Sequence, residues 1–181
     1  MNPLPTVQEV VAYWREAGPA QWFAKDEAFD AAFKTRFEAL HHAAAAGARD
    51  GWATDADGAL ALLVLLDQFP RNAYRATGHM FATDGKARGI ARAALAAGLD
   101  AQVEAMLRPF FYLPFMHSES LEDQERSVAL NAALDANTQR FALLHRDIVA
   151  RFGRFPHRNA ALGRASTPDE QRFLDEGGFA G

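Results

Sequence analysis

Two stretches of this chain gather residue types that could do chemistry: Asp67-Gln68-Phe69-Pro70-Arg71-Asn72 and Phe152-Gly153-Arg154-Phe155-Pro156-His157-Arg158-Asn159. Each sets a proline at the end of an apolar helical run and follows it with a guanidinium and an amide. If the two segments face each other, Arg71, Asn72, Arg154, His157, Arg158 and Asn159 converge on one environment suited to bidentate capture of a carboxylate or phosphate. The structural alternative, which is the default, has the same arginines satisfying the carbonyls that helix C-termini leave open, where the helix dipole also favours a cation. Asp67, near the end of an apolar helix, opposes that dipole and is costly if buried alone, so a cationic partner is expected among Arg71, Arg154 and Arg158. Such a pair would tie the two segments together as the structural centre of the protein. A functional role for Asp67, orienting His117 or His157 as a base, comes second to that structural one.

A further group is Pro114-Phe115-Met116-His117-Ser118-Glu119, followed by Glu122, Asp123 and Glu125. An imidazole two residues from a carboxylate could serve as a general acid/base or a metal ligand, and His145 with Asp147 offers a second such pair. No His-x-x-x-His or Glu-x-x-His spacing surrounds His117 or His145, so no metal site and no cofactor are expected. The plainer reading makes Ser118 or Ser120 a helix cap, places Glu119 and Glu122 favourably at a helix N-terminus, and makes His117 a satisfied buried donor. Ser166 is likewise read as a cap. His41, His42 and His79 show no chemical neighbours at suggestive positions and are expected in solvent. Trp14, Trp22, Phe23, Phe110, Phe111 and Tyr112 are expected in the core rather than on a ligand platform. No Gly-rich phosphate loop, nucleophile elbow or dinucleotide fingerprint occurs.

These residues must be positioned by helices. Apolar residues recur at helical spacing nearly everywhere, as in Phe29, Phe33, Phe37 and Leu40 or Phe141, Leu144, Ile148 and Phe152, and no stretch alternates as a strand. Start signals stand at Thr6 with Glu9, at Asp26, at Ser120 with Asp123 and at Thr167-Pro168-Asp169-Glu170, and stops at Gly18-Pro19, Gly47, Gly98, Gly153 and Gly177. Helices are therefore predicted at about 6–17, 26–46, 55–69, 84–97, 100–108, 120–135, 137–152 and 167–176. Short connections suit an all-α antiparallel bundle or stacked helical hairpins. Alanines 43–46 and 91–97 would let helix axes approach closely.

With 181 residues, 49% hydrophobic and 23% charged, the chain reads as one all-helical domain spanning 1–181. Its 14 Phe against 3 Tyr predict a phenylalanine-rich core. A net charge of −4 gives no footprint for nucleic acid. The absence of cysteine excludes disulfides, thiolate metal sites and a cysteine nucleophile. The N-terminal Met-Asn-Pro-Leu-Pro lacks the regions of a secretory signal, and the longest apolar run is short of the roughly 20 residues that cross a bilayer, so a cytoplasmic protein with no membrane partner is expected.

Several strings together resemble a known bacterial family: Trp22-Phe23-Ala24-Lys25-Asp26, residues 61–72, Phe81-Ala82-Thr83-Asp84, Phe111-Tyr112-Leu113-Pro114-Phe115-Met116-His117-Ser118-Glu119, Asp123-Gln124-Glu125 and the stretch from His145 to Thr167. They are similar to the family catalogued as domain of unknown function 924. The resemblance covers essentially the whole chain and implies an all-helical, tetratricopeptide-like fold with no established activity.

The leading functional expectation is a binding module that holds a small anionic ligand, or an acidic or C-terminal peptide, in a groove lined by Arg71, His117, Arg154, His157 and Arg158. One alternative is a hydrolase- or lyase-type enzyme using His117 or His157 with Glu119 or Asp67 as acid/base partners. A third is a purely structural interaction protein whose motifs only lock helix ends. Ligand, partners and oligomeric state are not specified by the sequence.

Overall fold

The computed structural model describes residues 3–179. It is all-α, with no strand among the described residues, and runs α1 (Val7–Trp22), α2 (Glu27–Ala45), α3 (Ala56–Leu63), α4 (Phe69–Ala73), α5 (Asp84–Ala96), α6 (Pro109–Met116), α7 (Leu121–Asn131), α8 (Ala136–Phe152) and α9 (Pro168–Asp175), joined by turns and short 3-10 segments. Backbone contacts divide the chain into two compact units. The first comprises Met1–Arg75 with His79–Pro114, the second Ala76–Gly78 with Phe115–Gly181.

In the first unit α3 packs on α1 and α5, and α4 packs on α2. Its core is aromatic, as the phenylalanine count anticipates: the Trp14 ring lies 5.5 Å from Phe33 and 5.3 Å from Phe110, and Phe33 lies 5.2 Å from Phe69. Trp14, Trp22, Phe110, Phe111 and Tyr112 are buried, whereas Phe23 is 67% exposed and departs from the expectation of core. Each buried phenylalanine contributes about 2–3 kcal/mol by leaving water. α5 packs on α3, and its buried residues Ala87, Ala91 and Ala94 are small enough to let helix axes approach closely. Gly58 allows a closer approach still, since a Cβ there would sit 1.9 Å from the Trp52 carbonyl oxygen.

Most helices start where local chemistry says they should. Thr6 and Thr167 form capping boxes with Glu9 and Glu170, and the Asp26 and Asp135 carboxylates accept the first backbone N–H groups of α2 and α8. Three expectations change. The stop at Gly18-Pro19 is a kink, with Gly18 at φ 68° and α1 resuming to Trp22. The helix expected at 100–108 is two 3-10 turns, Asp100–Gln102 and Ala105–Leu107, and the helix that follows them is α6, whose two prolines read as breakers although Pro109 occupies its first position. The helix expected to end at Phe69 passes instead through a π-turn, Val64–Gln68, into α4 with Pro70 inside it.

That π-turn has a local consequence. The Phe69 N–H bonds the Val64 carbonyl and Pro70 has no N–H, so the carbonyls of Leu65 and Leu66 turn to side chains. His41 Nδ1 takes the Leu65 oxygen at 2.8 Å and the Thr83 hydroxyl takes that of Leu66 at 2.5 Å.

In the second unit α7 packs against α8, and α9 against the 3-10 turn Pro156–Arg158. Ile148, Val149 and Phe155 are buried, with Phe152, Phe173 and Phe179 packed against them. α8 ends at Gly153, left-handed at φ 71°. The Gln124 amide closes the end of α6, donating to the carbonyls of Met116 at 2.7 Å and Ser118 at 2.6 Å.

Candidate functional site

In the first unit, Arg71 follows the structural reading. Its Nη1 lies 3.2 Å from Asp67 Oδ1 and donates to the Asp67 carbonyl at 2.6 Å, and its two terminal nitrogens grip Asp84 at 2.9 and 3.0 Å. The cation expected for Asp67 is thus present within its own segment, and Gln68 donates to the same carboxylate at 2.6 Å. Burial works against the Arg71 charge, but Asp67 and Asp84 outweigh it and hold the guanidinium protonated. Asn72 donates to Asp30 at 2.6 Å.

In the second unit the polar residues separate into two networks. Arg154 clasps Glu170 through Nε at 2.6 Å and Nη2 at 2.7 Å, and Nη2 also reaches the Ala165 carbonyl. Asn159 adds a bond to Glu170 at 3.3 Å, and the Thr167 N–H one at 2.8 Å. The Arg154 hydrogen bonds, followed by that from Thr167, pull the Glu170 carboxyl down to about 2. Glu119 accepts both terminal nitrogens of Arg164, at 2.7 and 2.9 Å, and the Phe155 N–H at 2.8 Å. Burial pushes the Glu119 carboxyl up, but Arg164 and the Phe155 N–H more than offset this and leave it below the ordinary carboxylate range. Glu119 therefore ties two segments together rather than serving the α7 N-terminus; the N-cap there is Ser120, whose side chain makes no capping bond, while Ser118 accepts the Ser120 N–H and donates to Asp123 at 2.7 Å.

Near Glu119 lies His157. Its Nδ1 is sealed from solvent and makes no hydrogen bond among the described residues. Its ring stands 5.6 Å from Phe155 and 5.3 Å from Phe179, and Arg158, which is buried, covers the Phe155 face at 4.5 Å. Burial pushes the His157 imidazole down to about 4, helped by the charge of Arg158 and by His145 and His117, with Glu119 acting the other way. The structure thus groups His117, Glu119, His145, His157 and Arg158, all singled out from sequence, and adds Arg164. A cleft of about 400 Å³ in the same unit is lined by Arg151, Phe152, Arg154, Thr167, Asp169 and Glu170, and not by His157.

His41, His42 and His79 correct the sequence reading in part. His42 and His79 are exposed as expected, but His41 is fully buried, and one ring nitrogen of each of the three lies within 4.8 Å of the others. Sequence did carry a signal, Glu38-x-x-His41, but the third ring arrives from the distant turn Gly78–Phe81.

Residues 10–178 match the profile of a bacterial protein family of unknown function, DUF924. The chain belongs to this family. The DUF924 chain is similar to a solved protein of unknown function from Agrobacterium tumefaciens at 50% identity, with a TM-score of 0.93 over 94% of this chain and 97% of the other. No curated protein matches it. Among the described residues no helix is long and apolar enough to cross a membrane. In this DUF924 member the residues that sequence reasoning missed are the distant carboxylates and cations that complete each network: Asp30, Asp84, Arg164 and Glu170.

Proposed function

We propose that this protein is a binding module for a small anionic ligand, a phosphate- or carboxylate-bearing molecule, received in the second unit by His157 with Arg158 and His117 around it. The observation that carries this reading is the sealed, unbonded Nδ1 of His157 beside the Arg158 guanidinium and two further imidazoles. A buried polar atom left without a partner costs about 1–3 kcal/mol, and an acceptor oxygen from a ligand removes that cost. An anion also reverses the field that keeps the ring neutral, so binding and protonation of His157 reinforce each other. Arg71, Asn72, Arg154 and Asn159 are committed to carboxylates of the protein itself and are assigned to the scaffold.

Calorimetric titration with inorganic phosphate, sulfate and small dicarboxylates tests the reading. Saturable binding of at least one of them by the wild type, lost in His157→Phe and Arg158→Met while the fold is kept, is the expected result. Binding that is equal in wild type and both variants, or absent for every anion, sinks it.

A further inference from the structure

The cluster in the first unit has a different chemistry. His41 and His42 are consecutive on α2, and consecutive helical residues point about 100° apart, so their sharing one locus with His79 is imposed by tertiary structure. The ring centroids are 5.2 Å apart for His41 and His42, 5.7 Å for His41 and His79, and 5.8 Å for His42 and His79. Three imidazoles in one place gain nothing from each other: protonated they repel, and neutral they turn lone pairs to a common centre.

His41 is prepared for one of these states. The Leu65 carbonyl can only accept, so Nδ1 carries the proton and Nε2 holds the lone pair. That Nε2 is buried and makes no hydrogen bond among the described residues. A backbone carbonyl fixing the tautomer of a ring whose other nitrogen faces a cluster of ligands is the arrangement that orients metal-binding histidines. Here it follows from Pro70 and the π-turn, which leave the Leu65 oxygen for His41. The His41 ring is further held by stacking on Phe69 at 4.9 Å. Around the other two rings, Tyr74 stacks on His79 at 3.9 Å, sets its hydroxyl 3.4 Å from His42 Nε2 and donates to Glu38 at 2.9 Å.

We propose that His41, His42 and His79 bind one divalent transition metal ion of the imidazole-preferring class, with His41 Nε2 as the buried anchor and Zn²⁺ as the probe. Zn–N bonds of about 2.0–2.1 Å in tetrahedral geometry need ligand nitrogens roughly 3.3 Å apart. The present 4.8 Å limit closes to that by small rotations of His42 and His79, which are exposed. Three nitrogen donors exclude Mg²⁺ and Ca²⁺, which require oxygen, and leave a position open for water or another ligand.

The test uses full-length, tag-free protein stripped of metal. Equilibrium dialysis against Zn²⁺ should load a single ion per chain, and Co²⁺ should give the visible absorption of a low-coordinate site. His42→Asn and His79→Asn should each weaken binding by more than about 100-fold, beyond the loss typical of outer partners, with the helical circular dichroism kept. Absence of saturable binding by the wild type overturns the proposal. So does undiminished binding in the double variant, which would place the ion among the second unit's His117, His145 and His157, or equal uptake of Mg²⁺.

Discussion

His157→Phe separates the titration of one imidazole from the rest of the acid response. The ring has an ordinary value of 6.5 and is pushed to about 4 in the fold, chiefly by burial. Below 6.5 the unfolded chain takes up a proton that the folded protein refuses, so stability falls as pH drops from 6.5 and levels off near 4. At 1.36 kcal/mol per pK step, the loss from this group alone is about 2 kcal/mol near pH 5 and about 3 kcal/mol near pH 4. Glu119 and Glu170 also weaken the fold in acid, but below the ordinary carboxylate range, because their carboxyls are held low. Subtracting the variant removes them. Urea denaturation of both proteins at several pH values should show stability of the variant minus that of wild type rising by about 2 kcal/mol between neutral pH and pH 5. A difference that stays flat over this interval would falsify the claim that His157 is held neutral by its surroundings.

Glu170→Gln strips charge from a carboxylate that is 2% exposed and receives four hydrogen bonds from Arg154, Asn159 and Thr167, and since Arg154 itself reaches solvent a loss of about 1.5–3 kcal/mol is expected in chemical denaturation. A loss under about 1 kcal/mol would show that the Arg154 pair is dispensable. Gly58→Ala forces a methyl group onto the Trp52 carbonyl, and a drop of several degrees in Tm should follow; an unchanged Tm would mean that the turn at Asp50–Thr54 yields without cost.

The sequence discloses what is decided locally. Thr6, Asp26 and Thr167 cap their helices with bonds that span two or three residues, and Gly153 ends α8 in the left-handed conformation its lack of a Cβ permits. Phe33, Phe37 and Leu40 fall on the buried stripe of α2 for the same reason of short-range periodicity. Partners set by tertiary folding are not legible. Asp67 called for a cation and Arg71 supplied it four residues on, yet nothing near Arg71 in sequence announced Asp84, nor did anything near Glu119 announce Arg164. α6 was hidden because a helix that is apolar on all sides has no periodic signature, and Pro109 and Pro114 point to a loop. The histidine cluster was hidden because two of its rings diverge on an ideal helix and the third belongs to another turn.

The proposed anion site turns on the sealed nitrogen of His157, and ¹⁵N-resolved NMR of the imidazoles reads that atom. In anion-free buffer His157 should be neutral throughout the physiological range, titrating only near 4. Added phosphate should shift its Nδ1 resonance saturably and raise its titration point toward the ordinary imidazole value. Resonances of His157 that ignore every anion, while the protein remains folded, would contradict it.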